Sequence, residues 1–299
     1  MKVLITGATG FVGRAIARSL LKHGASLHIL ARDPQRLGPH LDAAVVHLGD
    51  LSDPQKIAVA ATGCAFVVHA ASESNLRSDE RVLKWVNIAG TENVLNAARY
   101  AGCRRVVYIS CADVTLANCD RLHWNEDRRP DRTLMDAHAR SKQLAEELAL
   151  ASSTSKMEVV ALRPAWLWGP GDTSVLPGLC KEAVTMRGIA LCGRGRNYLA
   201  TTHIELLTDA VRASLGNTDV AGKSYYVTDL TQGSSEEFFN ALSTTLGLPM
   251  PRKSYAFKEL LWARYRQRYG KPGLLPSEVV KRSRSSLFDV QRAVKDLGI

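Results

Sequence analysis

Short runs of β-branched and aliphatic residues alternate with longer amphipathic stretches through the first two-thirds of the chain, and this rhythm constrains the fold most. KVLIT (2–6), SLHIL (26–30), AVVHL (44–48), AFVVH (65–69), RVVYIS (105–110) and EVVAL (158–162) are apolar at successive positions. Strands buried on both faces read this way, because alternate side chains point to opposite faces and both need cover. Between them stand helical patterns such as VGRAIARSLLKHG, closed by Gly24, and ERVLKWVNIAGTENVLNAARYAG, closed by Gly102. The alternation calls for an α/β fold: a parallel, doubly wound sheet with helices on both sides.

After residue 163 the rhythm breaks into Gly/Pro-rich loops and separate helices. RPAWLWGPGD (163–172) reads as a strand leaving the sheet for a turn-rich segment, whereas THIELLTDAVRASLG (202–216) and KSYYVTD (223–229) read as a helix and strand returning to it. Further helices are expected near 234–246, 255–268 and 289–297. Two parts follow: residues 1–169 with 200–228 as a Rossmann-type dinucleotide-binding domain, and 170–199 with 229–299 as a small, discontinuous, mostly helical lobe for substrate.

The chain has 299 residues, enough for a full-sized core. MKVLITGATG carries one Lys and a short apolar run ended by Gly7, unlike a signal peptide, and no stretch approaches the roughly 20 apolar residues of a membrane span. Six scattered cysteines without a CxxC suggest neither zinc site nor disulfide framework, so no metal is expected and a reducing cytoplasm suits the chain. Of the net charge of +10, +8 lies in residues 252–284, where ten Lys and Arg meet only Glu259 and Glu278. A nucleic-acid binder more often spreads positive charge over the fold, so no nucleic-acid partner is expected.

TGATGFVG (6–13) follows the first strand and opens the first helix. Gly7 permits a tight turn, Gly10 lets backbone amides approach a pyrophosphate, and Gly13 allows close helix–strand packing. The second strand ends in ILARD, with Ala31 where an NAD-preferring site would carry a carboxylate, then Arg32; Arg14 follows the last glycine of the turn. Two guanidiniums favour a 2′-phosphate, hence NADP(H) over NAD(H), although Asp33 stands nearby. HLGDLSD (47–53) places Asp50 to accept from an adenine amino group, and HAAS (69–72) ends the fourth strand with small residues. The cofactor is therefore expected against Thr6, Gly7, Thr9, Gly10, Phe11, Val12, Gly13, Arg14, Arg32, Asp50, Leu51, Ala70 and Ala71, and further along against Lys142 and Pro164.

In this order the motifs TGATGFVG, GDL, HAAS, VNIAGTENVL (86–95), RVVYIS, HARSK and LRPAWLWGPGD resemble the extended short-chain dehydrogenase/reductase family over nearly the whole chain. WGPGDTSVLPG (168–178), GRGRN (193–197) and THIELLTDAV (202–211) are most similar to its 3β-hydroxysteroid dehydrogenase/isomerase group. The resemblance implies a nicotinamide cofactor, a substrate held between cofactor and lobe, and a homodimer through the helices at 79–101 and 136–151. It also implies a Tyr-x-x-x-Lys pair beside a Ser or Thr after the fifth strand. The tyrosine exchanges a proton with the carbinol oxygen; the lysine lowers its pKa and binds the nicotinamide ribose.

Here the pattern departs. His138 stands at the tyrosine position, Lys142 is kept, and Cys111 stands at the hydroxyl position, with Ser110 beside it and on the other side of an alternating strand. An imidazole titrates near neutrality, so His138 can still serve in acid–base chemistry, as a polar substrate contact, or as an inert replacement. Its reach is the difficulty, since it is roughly 2 Å shorter than phenol and proton transfer needs heavy atoms within about 2.6–3.2 Å. Asn87 matches the family's helix asparagine, with a site role and a helix-bend hydrogen bond both open. Trp168 suits an apolar wall, and Trp124 and Trp166 are further wall candidates.

FKELLWARYRQRYGKP (257–272) sets Phe257, Leu260, Leu261, Tyr265 and Tyr269 at helical spacing among cations. A lid helix over the cleft, a peripheral membrane contact and an acidic partner are all consistent with it. Three functions stay open: an oxidoreductase on a secondary alcohol or ketone of an apolar sterol-, isoprenoid- or polyketide-like molecule; a non-redox isomerase, lyase or cyclase using His138 and Lys142; and a dinucleotide-binding protein without catalysis.

Overall fold

A computed structural model describes residues 1–115, 119–128, 136–230, 233–270 and 273–299. Seven parallel strands form the main sheet: β1 (Lys2–Thr6), β2 (Ser26–Ala31), β3 (Val45–Leu48), β4 (Phe66–His69), β5 (Arg105–Ile109), β7 (Glu158–Pro164) and β11 (Ser224–Val227). Their order is β3-β2-β1-β4-β5-β7-β11. Val3 of β1 pairs with Leu27 of β2 on one side and Phe66 of β4 on the other, so the winding reverses at β1. Ligands of doubly wound sheets bind beyond the carboxyl ends of the strands at such a reversal.

Each central strand feeds two cores. Val3 and Ile5 pack with Ile16 and Leu20 of α1 (Phe11–Lys22) and Val211 of α7 (Ile204–Gly216). Leu4 points the other way, to Ile57 of α2 (Pro54–Ala61), Val94 of α4 (Gly90–Tyr100) and Ala145 of α5 (Ala137–Ala151). Burying each aliphatic side chain contributes about 1.5–3 kcal/mol, which explains why these strands are mostly aliphatic; the buried polar residues among them, such as Thr6 and His69, stand at strand ends. The short helix α3 (Glu80–Leu83) runs into α4 through a π-helical turn, Lys84–Ala89. One strand departs from expectation. AVVHL is not covered on both faces: β3 is the sheet's edge, and Val45 and Leu48 are 51% and 62% exposed.

Short strands and helices build the remainder. Strands β8 (Trp166–Trp168) and β10 (Thr201–His203) pair, as do β9 (Ala190–Cys192) and β12 (Arg252–Ser254), and β6 (Arg121–Trp124) and β13 (Ser286–Phe288). Helices α6 (Val175–Thr185) and α8 (Ser235–Leu246) enclose Leu179, Ile189, Leu191 and Phe239. Helices α9 (Ala256–Arg268) and α10 (Pro276–Ser283) close over Ala190, Cys192, Ala263 and Val279. The last helix, α11 (Gln291–Leu297), returns to the sheet: Ala293 and Leu297 join the core of Val3 and Ile5.

Candidate active site

A cleft of about 420 Å³ opens at the winding reversal. Most of the expected residues meet there: Thr6, Gly7, Thr9 to Gly13, Arg32, Asp50, Leu51, Ala70 and Ala71 on one side, and Ser110, Cys111, His138 and Lys142 on the other. Arg14, Pro164 and Asn87 do not line it.

The glycine turn fits a dinucleotide. Gly7 has φ +82°, and a methyl group there would lie 2.6 Å from the Ala71 amide nitrogen, so the turn after β1 lies against the Ala70–Ala71 backbone only because Gly7 has no side chain. A methyl on Gly13 would strike the Gly7 carbonyl. Gly10 is the N-cap of α1 and offers no side-chain acceptor to the first-turn amides. That end of α1 therefore faces the cleft as an uncapped, partially positive group, the setting a pyrophosphate requires.

At the strand ends the charges are distributed unevenly. Asp33 is spent on its own turn, accepting from the Gln35 amide at 3.1 Å. Arg32 is exposed and lies 3.6 Å from Asp50. Arg14 instead clamps the fingerprint loop, donating to the carbonyls of Thr9 (3.0 Å) and Arg36 (2.9 Å). Pro164 is the last residue of β7, one step before the chain leaves the sheet, and it is Leu167 that reaches the cleft wall.

A buried relay of hydroxyls fixes the floor. Thr91 Oγ1 donates to the Asn87 carbonyl at 2.6 Å, so it accepts from His69 Nε2 at 3.0 Å. His69 Nδ1 is then an acceptor and takes the Thr6 hydroxyl at 2.6 Å, while Thr6 Oγ1 accepts from the Ala71 amide at 3.4 Å. Burial lowers the His69 pKa to about 3, in keeping with this neutral tautomer. His69 thus ties β1, β4 and α4 together, a role its place before two alanines did not disclose.

Asn87, in the π turn, is likewise committed. Its side-chain Oδ1 accepts from the Glu73 amide at 2.8 Å, and its Nδ2 donates to the Glu73 carbonyl at 3.1 Å and to Ser141 Oγ at 2.9 Å. Both N–H bonds are used, which makes it a clamp between the 73 loop and α5 rather than a substrate contact. Ser141 passes its own proton to the His138 carbonyl at 2.8 Å.

Helix α5 delivers His138 and Lys142 to the cleft one turn apart. Asp136 caps it through the Ala139 amide at 2.7 Å. Glu146, one turn past Lys142, receives the Arg163 guanidinium at 2.5 and 3.0 Å and pins the helix to β7. Lys142 Nζ donates to the Ile109 carbonyl at 2.7 Å and lies 4.4 Å from the centre of the Tyr108 ring. Burial lowers its pKa to about 8. Burial also lowers His138 to about 4, with Lys281 and Lys142 acting in the same direction against Asp113 and Asp136. At neutral pH the site therefore holds a neutral imidazole and an ammonium that can release its proton.

Ser110 and Cys111 both line the cleft, because β5 ends at Ile109 and the pleat that would send them to opposite faces ends with it. Burial, followed by Asp113, pushes the Cys111 thiol up to about 12, so it is protonated and no nucleophile at neutral pH. Ser110 Oγ and His138 Nδ1 are buried without a hydrogen-bond partner among the described residues.

The three tryptophans expected at the wall lie elsewhere, and it is Trp85 of the π turn, not singled out in the sequence, that lines the cleft. Trp168 donates to Asp229 at 3.2 Å and packs edge-on to His203 and Phe238. Trp166 packs on Phe239, and Trp124 against the cluster of Tyr226 and Phe288. Alternation along β8 explains this: Leu167 faces the cleft and its two neighbours face away.

Residues 4–258 match the model of the 3-beta hydroxysteroid dehydrogenase/isomerase family. The chain belongs to that family. Among curated relatives, a 2-alkyl-3-oxoalkanoate reductase of Stenotrophomonas maltophilia is 30% identical, covering 100% of this chain and 94% of the relative. A 3 beta-hydroxysteroid dehydrogenase/Delta 5-->4-isomerase of Mycobacterium tuberculosis is 26% identical over 99% of this chain and 85% of its own. Among solved structures, MoeE5 in complex with UDP-glucuronic acid and NAD superposes with a TM-score of 0.80 at 22% identity, covering 100% of this chain and 93% of that one. This last likeness shows the fold alone; the curated relatives are named as reductases and dehydrogenases.

Proposed function

We propose that this family member is an NADP(H)-dependent oxidoreductase that interconverts a ketone and a secondary alcohol on an apolar sterol-, isoprenoid- or polyketide-like substrate. The observation that carries the proposal is the meeting, in one cleft, of the uncapped glycine turn of α1 with Lys142, His138 and Ser110. The names of the relatives support the substrate class, since they include reductases of 2-alkyl-3-oxoalkanoates and of a farnesylated quinoline oxide.

When bound, NADPH supplies a hydride to the carbonyl carbon. The chain's own groups then handle the oxygen. Lys142 holds positive charge beside it and, at about 8, carries the proton that the new alkoxide needs. His138, kept neutral, orients the oxygen by a hydrogen bond instead of donating a full proton, and the shorter imidazole calls for a substrate seated nearer to α5 or for one bridging water. Ser110 Oγ offers a second donor. Arg32, with Asp33 turned to its own loop, supports NADPH over NADH.

The homodimer belongs to the same proposal. Val82 and Tyr100, on the 79–101 segment expected to pair, are exposed large hydrophobics.

Calorimetry with NADPH and NADH, followed by reduced-nicotinamide absorbance with 2-alkyl-3-oxo acids and sterol ketones, tests the reading. It expects NADPH to bind at least about tenfold tighter, one bidentate contact being worth about 1.5–3 kcal/mol, and expects ketone-dependent oxidation. Tight NADPH binding without oxidation of any ketone would refute it and favour the rival proton-transfer or binding-only readings.

A further inference from the structure

Helix α9 is exposed in an unusual way. Glu259 and Ala263 face inward and are buried. The opposite face carries Phe257, Leu261, Trp262, Tyr265 and Tyr269, exposed by 70%, 50%, 56%, 44% and 60%. Spacings of four residues align Phe257, Leu261, Tyr265 and Tyr269 in one stripe. Five large apolar or aromatic side chains on so short a helix leave more hydrocarbon in water than a packed surface ordinarily does.

The same face carries cations and no accessible acid. Lys258, Arg264 and Arg268 are exposed among the aromatic residues. Glu259, the one carboxylate of α9, accepts from Arg252 and Ser254 at 2.8 Å each on the inner side. Beside the helix, a groove of about 330 Å³ between α9 and α10 is lined by Phe257, Leu260, Val279 and Val280, with Arg264 at its wall. The last two residues of the basic stretch, 271–272, lie outside the described residues.

We propose that this face of α9 docks the protein on an anionic lipid bilayer. A second copy of the chain is disfavoured as occupant, because it would set Lys258, Arg264 and Arg268 of one face against the same cations of the other, with no exposed carboxylate of α9 between them. Nucleic acid would meet the cations but gain little from Leu261 and Phe257. A lipid surface satisfies both sets of groups: anionic headgroups neutralise Lys258, Arg264 and Arg268, Trp262, Tyr265 and Tyr269 settle at headgroup depth, and Phe257 and Leu261 enter the acyl boundary. Among the described residues no helix is long and apolar enough to cross a membrane, so the contact is made from one side. Delivery of a poorly soluble substrate is the benefit, but docking itself requires neither cofactor nor turnover.

The test uses the full chain and 100-nm-class vesicles of phosphatidylcholine with about 30% phosphatidylglycerol, against vesicles of phosphatidylcholine alone. Sedimentation should show binding to the anionic vesicles that weakens as salt rises. Replacing Arg264 and Arg268 by Gln should weaken it about twenty-fivefold, roughly fivefold per cation. Phe257→Ala with Leu261→Ala should abolish it while leaving NADPH affinity unchanged. Brominated lipid should quench wild-type fluorescence, and Trp262→Phe should remove that quenching, a readout that does not depend on the multiple variants folding. Equal binding to both vesicles, no binding to either, or concentration-dependent dimerisation lost in the Phe257/Leu261 variant would overturn the proposal.

Discussion

Lys281 of α10 lies 2.6 Å from the Asp113 carboxylate, and the same ammonium is 3.7 Å from Asp136, the cap of the helix that carries His138. One buried cation thereby fastens α10 to the side of the cleft that carries Cys111 and His138. Burial opposes charge on each partner, yet Asp113 and Asp136 raise Lys281, and Lys281 with Arg121 holds Asp113 below the usual carboxylate range. Lys281→Met should destabilise the protein by about 1–3 kcal/mol, because it removes the nearer cation from the half-buried Asp113 carboxylate, leaves Arg121 as its remaining cation, and takes the ammonium away from Asp136. The double variant with Asp113→Asn should recover part of that loss in a denaturant titration. In the single variant the His138 pKa should rise from about 4, since a cation that lowers it is gone; NMR titration of the ring measures this.

On the proposed function, the Lys142 ammonium should set an alkaline limit on ketone reduction. The reductive step uses the protonated form, so kcat should fall as pH rises through about 8. A pH–rate profile flat to pH 10 would exclude Lys142 as the proton source. The stability of the fold has the opposite dependence: between about 8 and the ordinary lysine value the unfolded chain binds more protons, so the free energy of unfolding, and with it stability, rises with pH in that window.

Two histidines set the acid limit. His69 and His138 have folded pKa values of about 3 and about 4, each lowered first by burial. The unfolded chain takes up protons near 6.5 and the folded chain does not, so stability present at pH 7 is lost as pH falls below that value. From pH 7 to pH 5 each group should cost about 2 kcal/mol by this linkage, read as a lower denaturant midpoint. His69→Leu should flatten the curve while itself costing about 1–3 kcal/mol, because the buried Thr6 O–H loses its acceptor whereas Thr91 keeps its bond to the Asn87 carbonyl.

The sheet was legible because strands such as VLI at 3–5 must be apolar on both faces, and the fingerprint was legible because Gly7 and Gly13 have no room for a Cβ. The exposed edge of β3 was not, since AVVHL has the composition of its buried neighbours and only strand order exposes it. Ser110 was misassigned to the far face because alternation was extended beyond the end of β5. Lys281 stood in a run of cations that reads as a solvated surface, and its partner Asp113 is 168 positions away. No local pattern predicts such a contact. Asn87 and His69 were visible as residues, but the hydrogen bonds that commit them to structure were not.

Cofactor choice rests on a smaller feature. Arg32 is 75% exposed and 3.6 Å from Asp50. Arg32→Ala should weaken NADPH about tenfold or more and leave NADH within about twofold, because only the 2′-phosphate loses a charge-assisted contact. Arg14→Ala should weaken both alike, since its bonds to Thr9 and Arg36 carbonyls shape the shared loop.

The most direct measurement follows NADPH oxidation with a 2-alkyl-3-oxo acid in the wild-type protein, His138→Phe and Lys142→Met, with NADPH affinity measured on the same samples. The account predicts ketone-dependent turnover in the wild type and a loss of about 100-fold or more in kcat for each variant, with the His138 variant binding NADPH as before. Turnover that survives His138→Phe and Lys142→Met unchanged would contradict it.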